Sequence, residues 1–453
     1  MRRTTSVSSA LNETSYNTVN YTYTNDNLTR ISVNSGEVVY DITYNQRDQP
    51  LAITVGNGET YRNLIRYTYD SNNNLAEITY GNGDWEMYSY DSLDRLTEKY
   101  YYDTDESVYY YYDPNGNLYK VYDEFSDTQS ITDYDLAGRV VGSTLTNENG
   151  QNILASANID YHDKKGTVEG QQVTLYDDAN GAYRTIEYEY TYGDITQGEN
   201  PAALYEMLAG GRTFTYEYDG LGRLVKKALS VGSGADETYT YVTNGSNTTT
   251  LVETHKDMNG VTHTYTYDGN GNITKEIFGT VTRTYKYDKY NRLERYDDSG
   301  IGASYYYDYD ERGNIKSSSK YVYTDSESAL PSTPIETKTY AYGYDLWADA
   351  LTNFNGSSIT YDYAMNPTSW TKGRTLSWEN EKSLASITDG TNTSTYTYNG
   401  DRLRTKKVTG SKTTEYYILD GTYVGEKTTV NGNTYRISYV YDENGAPTGL
   451  NID

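Results

Sequence analysis

The residues with the clearest capacity for chemistry are oxygen-bearing side chains at short spacing. Asp113-Pro114-Asn115-Gly116-Asn117 puts carboxylate and amide oxygens at positions 1, 3 and 5 of a loop, with Glu124 at position 12. That spacing resembles an EF-hand calcium loop. Position 6 is Leu118 where such a loop needs glycine, and the flanks read as strands. The sister stretch from Asp268 has Gly279 at position 12. The expectation is a turn, with an adventitious oxygen site as its alternative. His162, His255 and His263 lie in repetitive sequence with no nucleophile motif or metal-ligand spacing, so they read as structural or surface residues. A carboxylate pair of the glycosidase kind is compatible with so acidic a composition. Most aspartates, however, are accounted for as turn residues. No catalytic residue, cofactor or metal is therefore expected.

The elements that position these residues are repeated. Tyr-Asp recurs with its aspartate at Asp70, Asp91, Asp113 and Asp135, and again at Asp268, Asp288 and Asp310. Steps of 20 to 22 residues mark a stacked supersecondary unit. In Thr264-Tyr265-Thr266-Tyr267 the tyrosines share one face of a strand and the threonines the other. Asp268-Gly269-Asn270-Gly271-Asn272 is turn chemistry, because glycine accepts positive φ and Asp and Asn bond to nearby backbone. Ile273 begins a return strand. Each unit is a β-hairpin. A single hairpin is marginal in water, so tandem units must pair edge to edge, with tyrosines stacking across the ladder. About 21 units give roughly 40 strands and a ribbon on the order of 200 Å long, which closed as one ring would be about 60 Å across. Side chains cannot fill such a ring. The ribbon must stay open, spiral or enclose a space.

Composition agrees. The 453 residues include 57 Tyr but only 4 Phe and 4 Trp, with 39 Gly and no Cys. Tyrosine suits a half-wet surface better than a thick dry core. A net charge of −26 opposes nucleic-acid binding. Disulfides are excluded, no run has the length of a membrane span, and Met1 to Ala10 has no apolar stretch behind its charges. The expectation is one all-β array over residues 1–453, excised from a larger secreted or surface protein. It is irregular at about 142–212 and 320–340. Asn200-Pro201-Ala202-Ala203-Leu204 through Gly210 reads as a short helix, with an N-cap, Pro at its first position and a terminal Gly. Thr324 to Lys338, with two prolines and many hydroxyls, reads as an exposed loop. Trp378 stands where the repeat has Tyr.

Tyr218-Asp219-Gly220-Leu221-Gly222-Arg223-Leu224 and Tyr134-Asp135-Leu136-Ala137-Gly138-Arg139-Val140 resemble the Rhs/YD-repeat family. That family comprises bacterial Rhs and wall-associated polymorphic toxins, the B/C components of Tc toxins, and teneurins. The section from Asn366 to Glu379 and the stretch Tyr439 to Gly445 look like Gram-positive members. The resemblance implies tandem hairpins forming one long antiparallel sheet that spirals into a hollow shell or part of one. It implies a C-terminal toxin or effector of the same parent protein as partner. The conserved core and toxin tail of the family are not found by Asp453, so self-cleavage and toxicity do not carry over. The structural residues expected to carry the wall are Tyr69, Asp70, Tyr90, Asp91, Tyr112, Asp113, Gly116, Tyr134, Asp135 and Gly138. Further along they are Tyr218, Asp219, Gly222, Tyr267, Asp268, Gly271, Tyr287, Asp288, Tyr309, Asp310, Gly313, Tyr441, Asp442 and Gly445. The alternative is an adhesin or carbohydrate-binding solenoid that meets a cell-surface glycan or receptor. Against it, Trp85, Trp347, Trp370 and Trp378 are sparse and aperiodic.

Overall fold

The structure, a computed structural model, describes residues 4–10, 16–33, 38–162, 165–177, 181–230, 235–245, 247–310, 312–344 and 347–453. Thirty-nine strands are described, and all but one consecutive pair, Ser357–Ser358 and Ser369–Trp370, are joined antiparallel. Thirty form one sheet from Ser6–Ala10 to Ser357–Ser358, and nine form a second from Ser369–Trp370 to Pro447–Ile452. A lone bridge, Tyr361 to Pro367, lies between them. The expected ladder is thus present, interrupted among the described residues between Ser358 and Ser369.

The stretch 142–212 keeps the hairpin plan with longer strands, up to the eleven residues of Ala182–Tyr192. The expected helix at 200–210 does not form. Asn200 instead caps a tight turn, its Oδ1 accepting from the Ala202 amide. Leu204–Ala209 is a strand that buries Met207 and Ala209 on one side. The period-2 burial of this segment, paired on both edges, outweighs its helix-start signals. Among the described residues, the helical turns are the short 3-10 segments Ile195–Gln197 and Thr371–Gly373. Thr324 to Pro334 is irregular as expected, but Glu336–Tyr344 is already strand.

The sheet returns on itself. Asp103 Oδ2 accepts from the Asn380 amide, Asp123 Oδ2 from the Gly400 amide, and Ser143 Oγ donates to Asp420, each pair 277 residues apart. These three contacts at one offset set the start of the second sheet beside the first, as the next coil of a spiral; further along the separation falls to 253 residues at Tyr188–Tyr441 and 215 at Lys227–Asp442. Twenty-three strands, from Glu106–Tyr112 through Arg374–Glu379, complete the circuit. At about 4.8 Å per strand this is a perimeter of about 110 Å, or about 35 Å across. The single ring of about 60 Å therefore gives way to a tighter coil with an overlap.

The coils meet as a lap joint. Phe214, Leu175, Ile186 and Met207 of the first coil are fully buried, and they cluster with Tyr417, Leu419, Val424 and Val440 of the second. Close approach needs glycine at two points. A Cβ on Gly425 would lie 2.7 Å from Leu175 Cδ1, and one on Gly400 2.3 Å from Val108 Cγ2. From Ser143–Asp420 to the Lys227–Asp442 ion pair, the first coil crosses five whole strands, Ile153–Tyr161 to Arg212–Tyr218, and the second only two. Of two curved layers the outer one spans more strands, so the first coil wraps the second here. Its concave face is the one that carries Tyr216 and the repeat residue Tyr218.

Outside this joint the wall is a single layer. The accessible surface is 25161 Å², whereas a compact monomer of this mass exposes about 17,000 Å². Burial concentrated at the overlap predicts that Phe214→Ala destabilises by about 3–5 kcal/mol. The same truncation at a single-layer position such as Phe354 should cost well under half of that. Urea unfolding of both variants measures the difference.

Candidate functional site

The repeat turn is the unit that recurs, so its geometry is the first candidate for function. Each repeat aspartate accepts, through Oδ1, the amide four residues on: Asp70 from Asn74, Asp91 from Arg95, Asp113 from Asn117. Asp135, Asp219, Asp268, Asp288, Asp310 and Asp442 do the same with Arg139, Arg223, Asn272, Arg292, Asn314 and Ala446. The fourth turn residue takes a positive φ, as at Gly116, Gly138, Gly222, Gly271, Gly313 and Gly445, and Asn or Asp serves at Asn73, Asp94 and Asn291. A register shift at the preceding tyrosine completes a bulged turn. Where the fifth turn residue is arginine, its guanidinium pairs with its own aspartate at 2.5 to 2.7 Å. The side-chain bond from Arg95 holds the Asp91 carboxyl below its ordinary value, and that from Asn272 does so for Asp268. A depressed carboxyl contributes its stability above the unfolded value and loses it as pH falls through the folded one.

The repeat tyrosine does something that pattern reading missed. Its hydroxyl donates to the carbonyl of the residue paired across from the preceding repeat's bulge position. Tyr69 donates to Pro50, Tyr90 to Leu75, Tyr112 to Leu96 and Tyr134 to Leu118, at 2.8 to 3.0 Å. Tyr218, Tyr267, Tyr287 and Tyr309 donate to Leu204, Val252, Ile273 and Leu293 at 2.6 to 2.9 Å. Tyr441 donates to Tyr423. Trp378, in the tyrosine position, makes the same bond through Nε1 to Pro367 at 2.8 Å. The arginine of one turn also covers the next repeat's tyrosine ring: Arg95 over Tyr112, Arg139 over Tyr161, Arg223 over Tyr241 and Arg292 over Tyr309, at 4.0 to 4.5 Å. Aspartate, arginine and the next tyrosine thus form one chain of contacts from repeat to repeat. Ring stacking falls to other aromatics, such as Tyr109 on Tyr122 and Tyr296 on Tyr305. The excess of Tyr over Phe was the available signal for a hydroxyl role.

The other candidates are absorbed by the architecture. The Asp113 carboxylate is engaged by Asn117, while Glu124 accepts the Ser107 amide at the opposite end of the hairpin, so the two do not converge. His255 and His263 are cross-strand partners in an aromatic row with Tyr239 and Phe278, and His263 Nδ1 lies 2.9 Å from Glu276. His162 receives the Lys165 amide at 3.3 Å in a turn.

The seam carries the buried charges. Lys227, 8% exposed, meets Asp442 at 3.0 Å and Glu443 at 3.1 Å, and Tyr216 also donates to Glu443. Burial disfavours the Lys227 charge, but its carboxylate partners outweigh that and raise its pKa. At the other end Glu86, 3% exposed, accepts from Tyr80, Tyr88 and Lys99 and meets Arg402 of the second coil at 3.3 Å. A groove of about 520 Å³ on the second coil is lined by Tyr398, Arg404, Tyr416, Tyr423, Tyr439 and Tyr441.

No family model matches the sequence, and no curated protein matches it. Among solved structures, the chain is similar to a TcdB2-TccC3-Cdc42 complex, at 13% identity and a TM-score of 0.43. It is also similar to the Photorhabdus luminescens Tc holotoxin pore, at 11% identity and a TM-score of 0.40. Each alignment covers 95% of this chain and 28% of the other, so the chain spans under a third of those proteins' length. A porin-like protein from Bacteroides uniformis aligns at 9% identity over 59% of this chain and 89% of its own, with a TM-score of 0.19.

Removing one cross-repeat hydroxyl tests the unit directly. Tyr267→Phe leaves the ring and strips the bond to Val252, and it should cost about 0.5–1.5 kcal/mol in urea unfolding. Tyr305→Phe, which keeps its stacking on Tyr296, should be close to neutral.

Proposed function

We propose that the chain is a wall segment of a YD-repeat β-shell, belonging to a larger secreted or surface bacterial protein, and that it encloses a C-terminal toxin or effector polypeptide. The role is physical and non-catalytic. A continuous hydrogen-bonded wall with few exposed backbone groups along its coil separates what lies inside from proteases. The observation that carries the reading is the return of the sheet on itself, at an offset of 277 residues from Asp103 to Ser143. A single-layer ribbon that comes back on itself after twenty-three strands bounds a space on its concave side. The surface excess over a compact chain supports the same reading.

A second reading, a glycan-binding wall, is favoured by one feature, the tyrosine-lined groove with Arg404 on the second coil. Aromatic rings beside a guanidinium suit the apolar face and the acid group of an acidic sugar.

The two readings separate in one experiment. An unstructured polypeptide is fused after Asp453, and its cleavage by a broad-specificity protease is compared with that of the free polypeptide. Protection of several-fold or more is expected. Equal cleavage, together with saturable binding of acidic polysaccharide that Tyr416→Ala abolishes, would replace enclosure with the glycan reading.

A further inference from the structure

Asp442 differs from other repeat aspartates in what its second oxygen meets. In turns such as those of Asp91, Asp219, Asp268 and Asp310, the fifth residue is Arg or Asn, and its side chain donates to the aspartate Oδ2. After Asp442 the fifth residue is Ala446, whose side chain has nothing to donate. Lys227 of the first coil takes that place, with Nζ 3.0 Å from Asp442 Oδ2.

The surroundings of this contact are those of a condensation site. Asp442 Oδ1 accepts the amides of Asn444 at 3.0 Å and Ala446 at 2.9 Å. Two N–H groups on one carboxyl oxygen can hold the oxyanion that forms when its carbon is attacked. Glu443 Oε2 lies 3.1 Å from the same Nζ and receives the Tyr216 hydroxyl at 2.5 Å, so a base is within reach of the amine protons. Water is largely kept out. The side chains of Lys227, Asp442 and Glu443 are 10, 13 and 17% exposed, and Nζ lies 5.4 Å from the centre of the Phe214 ring and 5.8 Å from that of Tyr216, both buried. Amine, carboxyl, base and oxyanion cradle are thus held in contact by the lap joint, as a unimolecular reaction requires.

We propose that Lys227 and Asp442 condense to an amide that locks the first coil covalently to the second.

The step balances with no further reagent. One proton moves from Nζ to Asp442 Oδ2, which gives a neutral amine and a neutral carboxyl without exchange with solvent. The Nζ lone pair attacks Cγ, and Oδ1 carries the negative charge against the two turn amides. Glu443 takes a second proton from Nζ and delivers it to Oδ2, which leaves as water. The amide keeps the third proton on nitrogen and Oδ1 as its carbonyl oxygen, still bound by the turn. Burial opposes the Lys227 charge and its carboxylate partners restore it, so the cluster starts as an ion pair and the amide accumulates slowly after folding.

Lys226 supplies the contrast. On the opposite face of the same strand it also meets two carboxylates, Glu217 at 3.2 Å and Asp236 at 3.6 Å, but these side chains are 33 to 64% exposed. In water the charged forms win, and that cluster is expected to stay an ion pair.

Intact mass of the denatured full chain, measured fresh and after a week of storage, tests the proposal. The aged chain should be lighter than its sequence by one water. Digestion should yield one branched peptide joining the Lys227 segment to the Asp442 segment, and the looped chain should migrate faster on a denaturing gel. Glu443→Gln and Lys227→Arg, shown to be folded by circular dichroism, should keep their full mass. A full mass in the aged native chain would overturn the amide and leave an ion pair only. A water loss that maps to an aspartyl succinimide with no branch, or that persists in Lys227→Arg, would overturn it as well. A branch that forms equally in Glu443→Gln would overturn the assigned base.

Discussion

The hydrogen bond from a repeat tyrosine hydroxyl to the carbonyl behind the previous turn is the interaction on which the rest of this wall depends. A single-layer sheet buries little apolar surface, so it lacks the thick core that holds most domains together. Its cohesion must come from neighbour to neighbour, and each repeat must be tied to the one before it by more than ladder bonds. Tyrosine can lie flat over the sheet, shelter beneath the preceding repeat's arginine and still reach a carbonyl one repeat back. Phenylalanine can do the first two of these only. The bond also explains the bulge. Shifting the register at the tyrosine aims its ring along the turn, and Trp378 satisfies the same geometry with an indole N–H.

Local ties of this kind make a ribbon. The lap joint makes it a coil of definite size. The shared offset at Asp103, Asp123 and Ser143 closes a circuit of twenty-three strands, and that count sets the gauge of the coil. After Val140 the first coil overlaps the second, and the two bury a shared apolar cluster. The strands that look degraded as repeats are thus those that carry interlayer packing. Ala155, Ala157 and Val173 stand in the first coil's share of that core, where a half-wet tyrosine would be too large and too polar.

Much of the fold was legible in the sequence, because its signals are local. Alternation in Thr264 to Tyr267, positive-φ residues at fixed offset from Asp, and a period of 20 to 22 residues specify hairpins and their order. The reading failed where long-range packing decides. At 200–210 a proline and a capping asparagine imitate a helix start, yet Met207 and Ala209 alternate into the core, and the segment is strand. The size of the coil was not legible, since curvature depends on small angles summed over many strands. Nor was the seam. Lys227 and Glu443 are unremarkable surface types in isolation, and Glu86 is one acid among many. The tyrosine hydroxyl bond had a trace in the ratio of Tyr to Phe, which pattern reading assigned to wetness rather than to a specific acceptor.

The central claim is that the second sheet returns beside the first, at an offset of 277 residues between Asp103 and Ser143. Engineered disulfides test it with no background thiol. Thr104→Cys with Asn380→Cys and Ser143→Cys with Asp420→Cys place sulfurs at side chains in direct contact, 3.2 and 2.7 Å apart. The crossed pairs, Thr104→Cys with Asp420→Cys and Ser143→Cys with Asn380→Cys, are out of register. Rapid oxidation of both in-register pairs and none of the crossed pairs is the predicted result. Equal oxidation of all four, or of none, would mean that the ribbon does not close on itself in this way.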